Sequence, residues 1–124
     1  MSNRKVLVIE DNPINMQLMR AILARDGYTV LQAEDARAGL DLARRELPAL
    51  IFMDIQLPDM DGLEATRLLK GDPATRAIPV VAVTAYAMKG ERERILAAGC
   101  DDYLAKPVSY KDVLEMAARL MGQE

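Results

Sequence analysis

Histidine is missing from the 124 residues. That absence excludes Ser-His-Asp and Cys-His triads, imidazole-ligated metal sites, and any role as a histidine phosphodonor. Cysteine occurs once, as Cys100, so no internal disulfide forms. The residue suits a reducing compartment and reads as a small buried apolar side chain rather than a reactive thiol. Long apolar runs are missing too: those present are far shorter than the roughly 20 residues that span a bilayer. The charged start, Met1 to Lys5, leads into an apolar stretch that ends at Glu10-Asp11, which is no signal peptide. An excess of basic residues is also absent. Sixteen Lys and Arg face 19 Asp and Glu, for a net charge of −3. Such a chain is poorly suited to direct nucleic-acid binding. These absences describe a soluble, cytoplasmic protein without membrane insertion.

What remains is ordinary in amount and informative in order. The length fits one domain, residues 1–124. Apolar residues make up 51%, enough for a core, and charged residues 28%. Five short apolar runs recur: Val6–Ile9, Thr29–Leu31, Leu50–Met53, Val80–Val83 and Tyr103–Ala105. Segments of helical period lie between and after them, at 13–26, 35–46, 62–70, 89–98 and 109–121. Unbroken apolar runs suit strands buried on both faces, and their alternation with helices reads as α/β with a five-stranded parallel sheet flanked by five helices. Punctuation agrees. Asn12-Pro13 is a helix start, Gly27 a helix C-cap, and Pro48 and Pro79 precede the third and fourth runs. The fifth helix uses nearly all the chain after Pro107, so no output domain is expected.

The chemistry sits where four of the runs end. The first ends in Glu10-Asp11, the third in Asp54, the fourth in Thr84 and the fifth in Lys106-Pro107. One polar strand end is commonplace. Four are not, and in a parallel sheet the C-terminal strand ends share one edge, where ligands bind. Three carboxylates gathered there repel, by about 3 kcal/mol per pair at roughly 5 Å and an effective dielectric of 20. A divalent cation removes that cost. Oxygen ligands without His or Cys favour Mg²⁺, then Mn²⁺. Lys106 and Thr84 then suit phosphoryl oxygens, and one carboxylate becomes a nucleophile that forms an acyl phosphate.

These residues lie in motifs that resemble the response regulator receiver domain, the phosphoacceptor module of two-component signalling. The motifs are Val-Ile-Glu-Asp-Asn at 8–12, Met-Asp-Ile-Gln-Leu-Pro at 53–58, Met-Asp-Gly at 60–62, Val-Thr-Ala at 83–85 and Tyr-Leu-Ala-Lys-Pro at 103–107. The resemblance covers essentially the whole chain, and residues 80–94 are closest to single-domain regulators of cell division. It implies the flavodoxin-like strand order 2-1-3-4-5. It also implies that Asp54 accepts phosphoryl from a histidine kinase or a histidine phosphotransfer protein. Asp11, Glu10 (mainly through water), Asp54 and the Gln56 carbonyl would hold the metal. Thr84, the Ala85 amide and Lys106 would bind the phosphoryl group, and Tyr103 would turn inward as Thr84 moves. The Lys106–Pro107 peptide would be cis. Gly62 fits a loop where a side chain would be awkward. Gln56 and Tyr86 fall where family members tune phosphate lifetime.

Spacing alone leaves Tyr103 free to be a packing residue. Asp59 and Asp61 read as solvated loop acids, and Glu91–Arg94 as an exposed helix face. The first helix carries two apolar stripes. Ile14, Leu18, Ala21 and Ile22 are expected to cover the sheet. Met16, Met19 and Leu23 are then either further core or a docking surface for the donor's helical bundle. Val108 and Tyr110 are candidate contacts for a downstream effector protein on the face of the fourth helix, fifth strand and fifth helix. A receiver excised from a hybrid histidine kinase is one competing reading. A Mg²⁺-dependent phosphatase working through an aspartyl phosphate is another, but Gln56 stands where its acid-base Asp would be. Neither G-x-x-x-x-G-K nor G-x-G-x-x-G occurs, which weakens a nucleotide or flavin binder. A phosphate-independent adaptor does not need the full site.

Overall fold

Runs of Val, Ile, Leu and Met with no polar interruption must be covered on both sides. A computed structural model, describing residues 3–85 and 90–121, shows how. Among the described residues five strands alternate with five helices: β1 (Lys5–Ile9), α1 (Pro13–Arg25), β2 (Thr29–Ala33), α2 (Ala36–Glu46), β3 (Leu50–Asp54), α3 (Gly62–Gly71), β4 (Val80–Thr84), α4 (Glu91–Ala97), β5 (Asp102–Ala105) and α5 (Tyr110–Met121). All pairings are parallel and the order is β2-β1-β3-β4-β5. This is the expected α/β architecture. The inner strands β3 and β4 are buried along their whole length, whereas the edges β2 and β5 are only partly covered. No described helix is long and apolar enough to cross a membrane.

Strand alternation splits the core into two layers. Leu7, Ile9, Ile51, Met53, Val80 and Ala82 pack with residues of α2, α3 and α4. Val6, Val8, Leu50, Phe52, Val81 and Val83 pack with α1 and α5. The helix limits follow local chemistry. Asn12 accepts from the Ile14 and Asn15 amides and Pro13 opens α1, where a missing N–H costs nothing. Gly27 ends the turn after α1 at φ +89°, a conformation an L side chain resists. Asp35 caps α2 through the Ala38 amide.

The first stripe of α1 is split: Ile22 faces the core as expected, Ile14, Leu18 and Ala21 do not, and Met16, Met19 and Leu23 take the further-core alternative. Met16, Met19, Ile22 and Leu23 are the buried residues, while Ile14 is 75% and Leu18 43% exposed. Met16, Met19 and Leu23 therefore cannot form a docking surface. Both stripes are comparably apolar, so hydrophobic pattern does not choose between them. Docking of α1 on the sheet decides it, and there Met16 and Met19 pack with Val6, Val8 and Phe52 in one core layer. Val108 and Tyr110 also need correction as contacts on the α4-β5-α5 face. Val108 packs on the α1–α5 side of the core, and the Arg25 guanidinium of α1 lies 5.7 Å from the Tyr110 ring centroid. Both belong to the α1 side of the molecule.

Leu23→Ala is expected to lower stability by about 2–5 kcal/mol, whereas Ile14→Ala should stay within about 0.5 kcal/mol of the parent. Urea denaturation followed by circular dichroism measures both. Equal losses would contradict the assignment of the stripes.

Candidate metal and phosphoryl site

The order β2-β1-β3-β4-β5 puts the ends of β1 and β3 side by side, with β4 and β5 beyond. Glu10 follows Ile9, and its amide donates to the Ala33 carbonyl at the end of β2 (3.0 Å). Asp54 is the last residue of β3 and aligns with Val83 of β4. Lys106 follows β5, and its amide donates to the Thr84 carbonyl (2.8 Å). The next peptide, Lys106–Pro107, is cis.

The side chains converge. Lys106 Nζ lies 3.1 Å from Glu10 Oε1 and 3.1 Å from Asp54 Oδ2. The remaining oxygens are held by the backbone. Glu10 Oε2 accepts from the Asn12 amide and Asp54 Oδ1 from the Gln56 amide, each at 3.1 Å. Glu10, Asp11 and Asp54 offer carboxylate oxygens that all lie within 4.8 Å of one another. Glu10 and Asp54 are buried, and Asp11 is exposed at the rim. Thr84 is buried at the end of β4 and Ala85 is exposed beside it. Tyr103 is half-buried against the core on the α2–α4 side. Gln56 is exposed. Tyr86 lies outside the described residues.

Electrostatics follow from this crowding. Burial, then the neighbouring Asp54, push the Glu10 carboxyl above its usual pKa; the Asn12 amide and Lys106 oppose that rise. Burial works against the Lys106 ammonium, but Glu10 and Asp54 outweigh it and raise its pKa. Three carboxylates against one ammonium leave a surplus of two negative charges. All the side-chain donors are hard oxygens. The set therefore suits a divalent cation of the Mg²⁺ type, which binds through few carboxylates and keeps several waters.

The loop after Asp54 carries structure that sequence reading missed. Asp59 was expected to be simply solvated. Instead its two carboxylate oxygens accept from the Ala36 and Arg37 amides at the start of α2 (2.9 and 3.0 Å). Those bonds hold its carboxyl below the usual range. Asp61 caps α3 through the Leu63 amide (2.7 Å). The pattern Asp61-x-x-Glu64 is a capping signal readable in the chain. No local signal marks Asp59, whose partners are 22 and 23 residues away. The expectation for Gly62 holds, for a reason of space. A Cβ there would lie 2.2 Å from the Asp54 carbonyl oxygen and 2.8 Å from Ile55 Cα.

The family described as the response regulator receiver domain matches residues 6–118. The chain belongs to that family, whose members are signalling proteins of two-component systems rather than classical enzymes. Within it, the chain resembles the Polar-differentiation response regulator DivK. The DivK proteins of Brucella anthropi and Brucella ovis are each 45% identical over 119 residues, 96% of this chain and 97% of theirs. Among solved structures, the receiver domain of a sensor histidine kinase from Pseudomonas aeruginosa has a magnesium ion coordinated in its active site cleft. It is 36% identical, with a TM-score of 0.90, over 98% of this chain and all of that one. A CheY-like receiver domain protein from Methanospirillum hungatei is 31% identical with a TM-score of 0.87, over 95% and 93%.

Gly62→Ala is expected to displace the Asp54–Ile55 backbone and to cost about 1–3 kcal/mol, the usual range for overpacking. Urea denaturation measures the loss. Unchanged stability would contradict the close approach of α3 to the end of β3.

Proposed function

We propose that the chain is a phosphorylation-dependent switch in which Asp54 takes a phosphoryl group from a phosphohistidine on a partner protein. The observation that carries this reading is the sharing of the Lys106 ammonium between Glu10 and Asp54, with Asp11 beside them. Glu10, Asp11, Asp54 and the Gln56 carbonyl would hold Mg²⁺, with Mn²⁺ a substitute. The magnesium in the cleft of the Pseudomonas aeruginosa receiver supports that choice. When bound, the cation supplies neutralising charge for the phosphoryl oxygens during in-line transfer.

The chain's own groups divide the remaining work. Both Asp54 oxygens are held, one by Lys106 and one by the Gln56 amide, so the carboxylate is oriented before a donor arrives. One Asp54 oxygen attacks phosphorus and the bond from phosphorus to the donor imidazole breaks. The bonding electrons return to the ring nitrogen, which takes up a proton, and an acyl phosphate remains on Asp54. Lys106 then pairs with a phosphoryl oxygen, and Thr84 and the Ala85 amide bind the others. Attack by water on phosphorus restores the carboxylate and releases inorganic phosphate. The chemistry is thus self-phosphorylation and self-dephosphorylation. Moving a 1:99 equilibrium of the Thr84–Tyr103 region to 99:1 takes about 5.5 kcal/mol, a demand that charged contacts to Lys106 and the metal can meet. An effector protein reads the change on the face of α4, β5 and α5, in cell-cycle or polarity control; the polar-differentiation name of the Brucella relatives supports polarity. The setting is the cytoplasm.

The donor's docking face is the exposed stripe of α1 in place of the buried one. Ile14 and Leu18 stand out from the helix. Leu18, Pro107 and Val108 line a small cavity together with Glu10 and Lys106, which makes this patch continuous with the site. A helical bundle presenting histidine to Asp54 would cover it.

Incubation with acetyl phosphate and Mg²⁺, read by intact mass, should add one phosphate. Asp54→Asn or EDTA should abolish the gain, and its persistence in either would remove Asp54 or the metal from the account. Leu18→Asp should slow transfer from a histidine kinase or phosphotransfer protein active on the parent by about tenfold, the size of a modest interface hot spot. Its labelling by acetyl phosphate should be unchanged. Unchanged transfer from the protein donor would remove the docking face.

A further inference from the structure

The acid pair and the phosphoacceptor reach the site from different strands, and the turn between β2 and α2 ties them together. On one side, the Glu10 amide donates to Ala33 at the end of β2. On the other, the amides of Ala36 and Arg37, the first two residues of α2, donate to Asp59. Those amides have no partner within their own helix. The third amide needing a partner, that of Ala38, is taken by Asp35.

Asp59 stands at the tip of the loop between β3 and α3. That loop is closed at its base by the Gln56–Asp61 bridge and by the bond from the Gly62 amide to the Ile55 carbonyl (2.7 Å). Leu57 and Met60 pack against the core on either side of the tip region. The loop's first residues hold the groups that matter. The Gln56 amide orients Asp54, and the Gln56 carbonyl is the proposed backbone ligand.

We infer that Asp59 is a positioning residue for the metal site: by clamping the loop tip to the start of α2, it fixes the Gln56 carbonyl relative to Glu10 and Asp11. The inference rests on the proposed reading of the site as a Mg²⁺ centre. Asp59 itself touches neither metal nor phosphoryl group. Its effect passes through the loop backbone on one side and through the β2–α2 turn to Glu10 on the other. A ligand set assembled from two strand ends needs its spacing held, because a chelate that must first be gathered binds more weakly.

Isothermal titration calorimetry of Mg²⁺ into the full chain tests this in the parent, Asp59→Ala, Asp59→Asn and Asp35→Ala, each checked for folding by circular dichroism. Asp35→Ala takes a cap from the same helix but leaves the loop tether intact, so it reports the effect of loosening α2 alone. Asp59→Ala should raise the Mg²⁺ dissociation constant about tenfold, while Asp35→Ala should stay within about twofold of the parent. Asp59→Asn keeps one acceptor and should fall between, and it carries the test if the alanine variant does not fold. Equal Mg²⁺ affinity in the parent and the folded Asp59 variants overturns the inference, as does an equal loss in Asp35→Ala. Acetyl phosphate labelling of the parent separates the two levels. A parent that binds Mg²⁺ and gains phosphate, with Asp59 variants that bind as tightly, removes only the role of Asp59. A parent that binds no Mg²⁺ overturns both.

Discussion

One ammonium held between two carboxylates is the interaction on which the rest of this structure turns. Lys106 reaches from the end of β5 past β4 to Glu10 and Asp54, at equal distances of 3.1 Å. Without it, two buried acids would face each other and an exposed third in a poorly solvated pocket. With it, the cluster is tolerated yet still two charges short of neutrality. In the proposed function, a dianionic pocket built from oxygen donors would be stable enough to fold and unbalanced enough to take a divalent cation, and it would leave one carboxylate oriented for attack.

The surrounding fold can be understood as support for that pocket. The parallel sheet brings the strand ends to one edge, and its two apolar layers keep the inner strands from shifting. Gly62 lets α3 begin directly against the Asp54 backbone. Backbone amides of Asn12 and Gln56 fix the outer oxygens of Glu10 and Asp54. Asp59 and the Glu10 amide brace the two halves of the site through the same turn. The face beside the pocket, by contrast, keeps Ile14 and Leu18 in solvent, a cost that a docking partner would repay.

Much of this was legible in the chain. Five apolar runs became five strands within a residue or two of their expected limits, because burial on both faces leaves little freedom in where a strand can lie. The polar residues closing those runs converged for a different reason: parallel connectivity puts every strand end on one side. Two matters were not legible. The apolar stripes of α1 are alike, and choosing between Met16 and Leu18 depends on helix phase relative to the sheet, a tertiary quantity. Asp59 forms its bonds with amides in another helix, so nothing in its own neighbourhood distinguishes it from a solvated loop acid. Asp61, whose partner lies two residues on, did carry a local signal in its spacing to Glu64.

If the pocket's surplus of negative charge is what a divalent cation neutralises, the stability of the fold must respond to that cation. Thermal unfolding of the parent and of Asp11→Asn, each with and without Mg²⁺, tests this most directly, because binding to the folded state alone must raise stability. Mg²⁺ should raise the melting temperature of the parent, and Asp11→Asn should melt higher than the parent in the absence of metal and respond little to its addition. A parent indifferent to Mg²⁺, together with an Asp11→Asn variant no more stable than the parent in metal-free buffer, would contradict it.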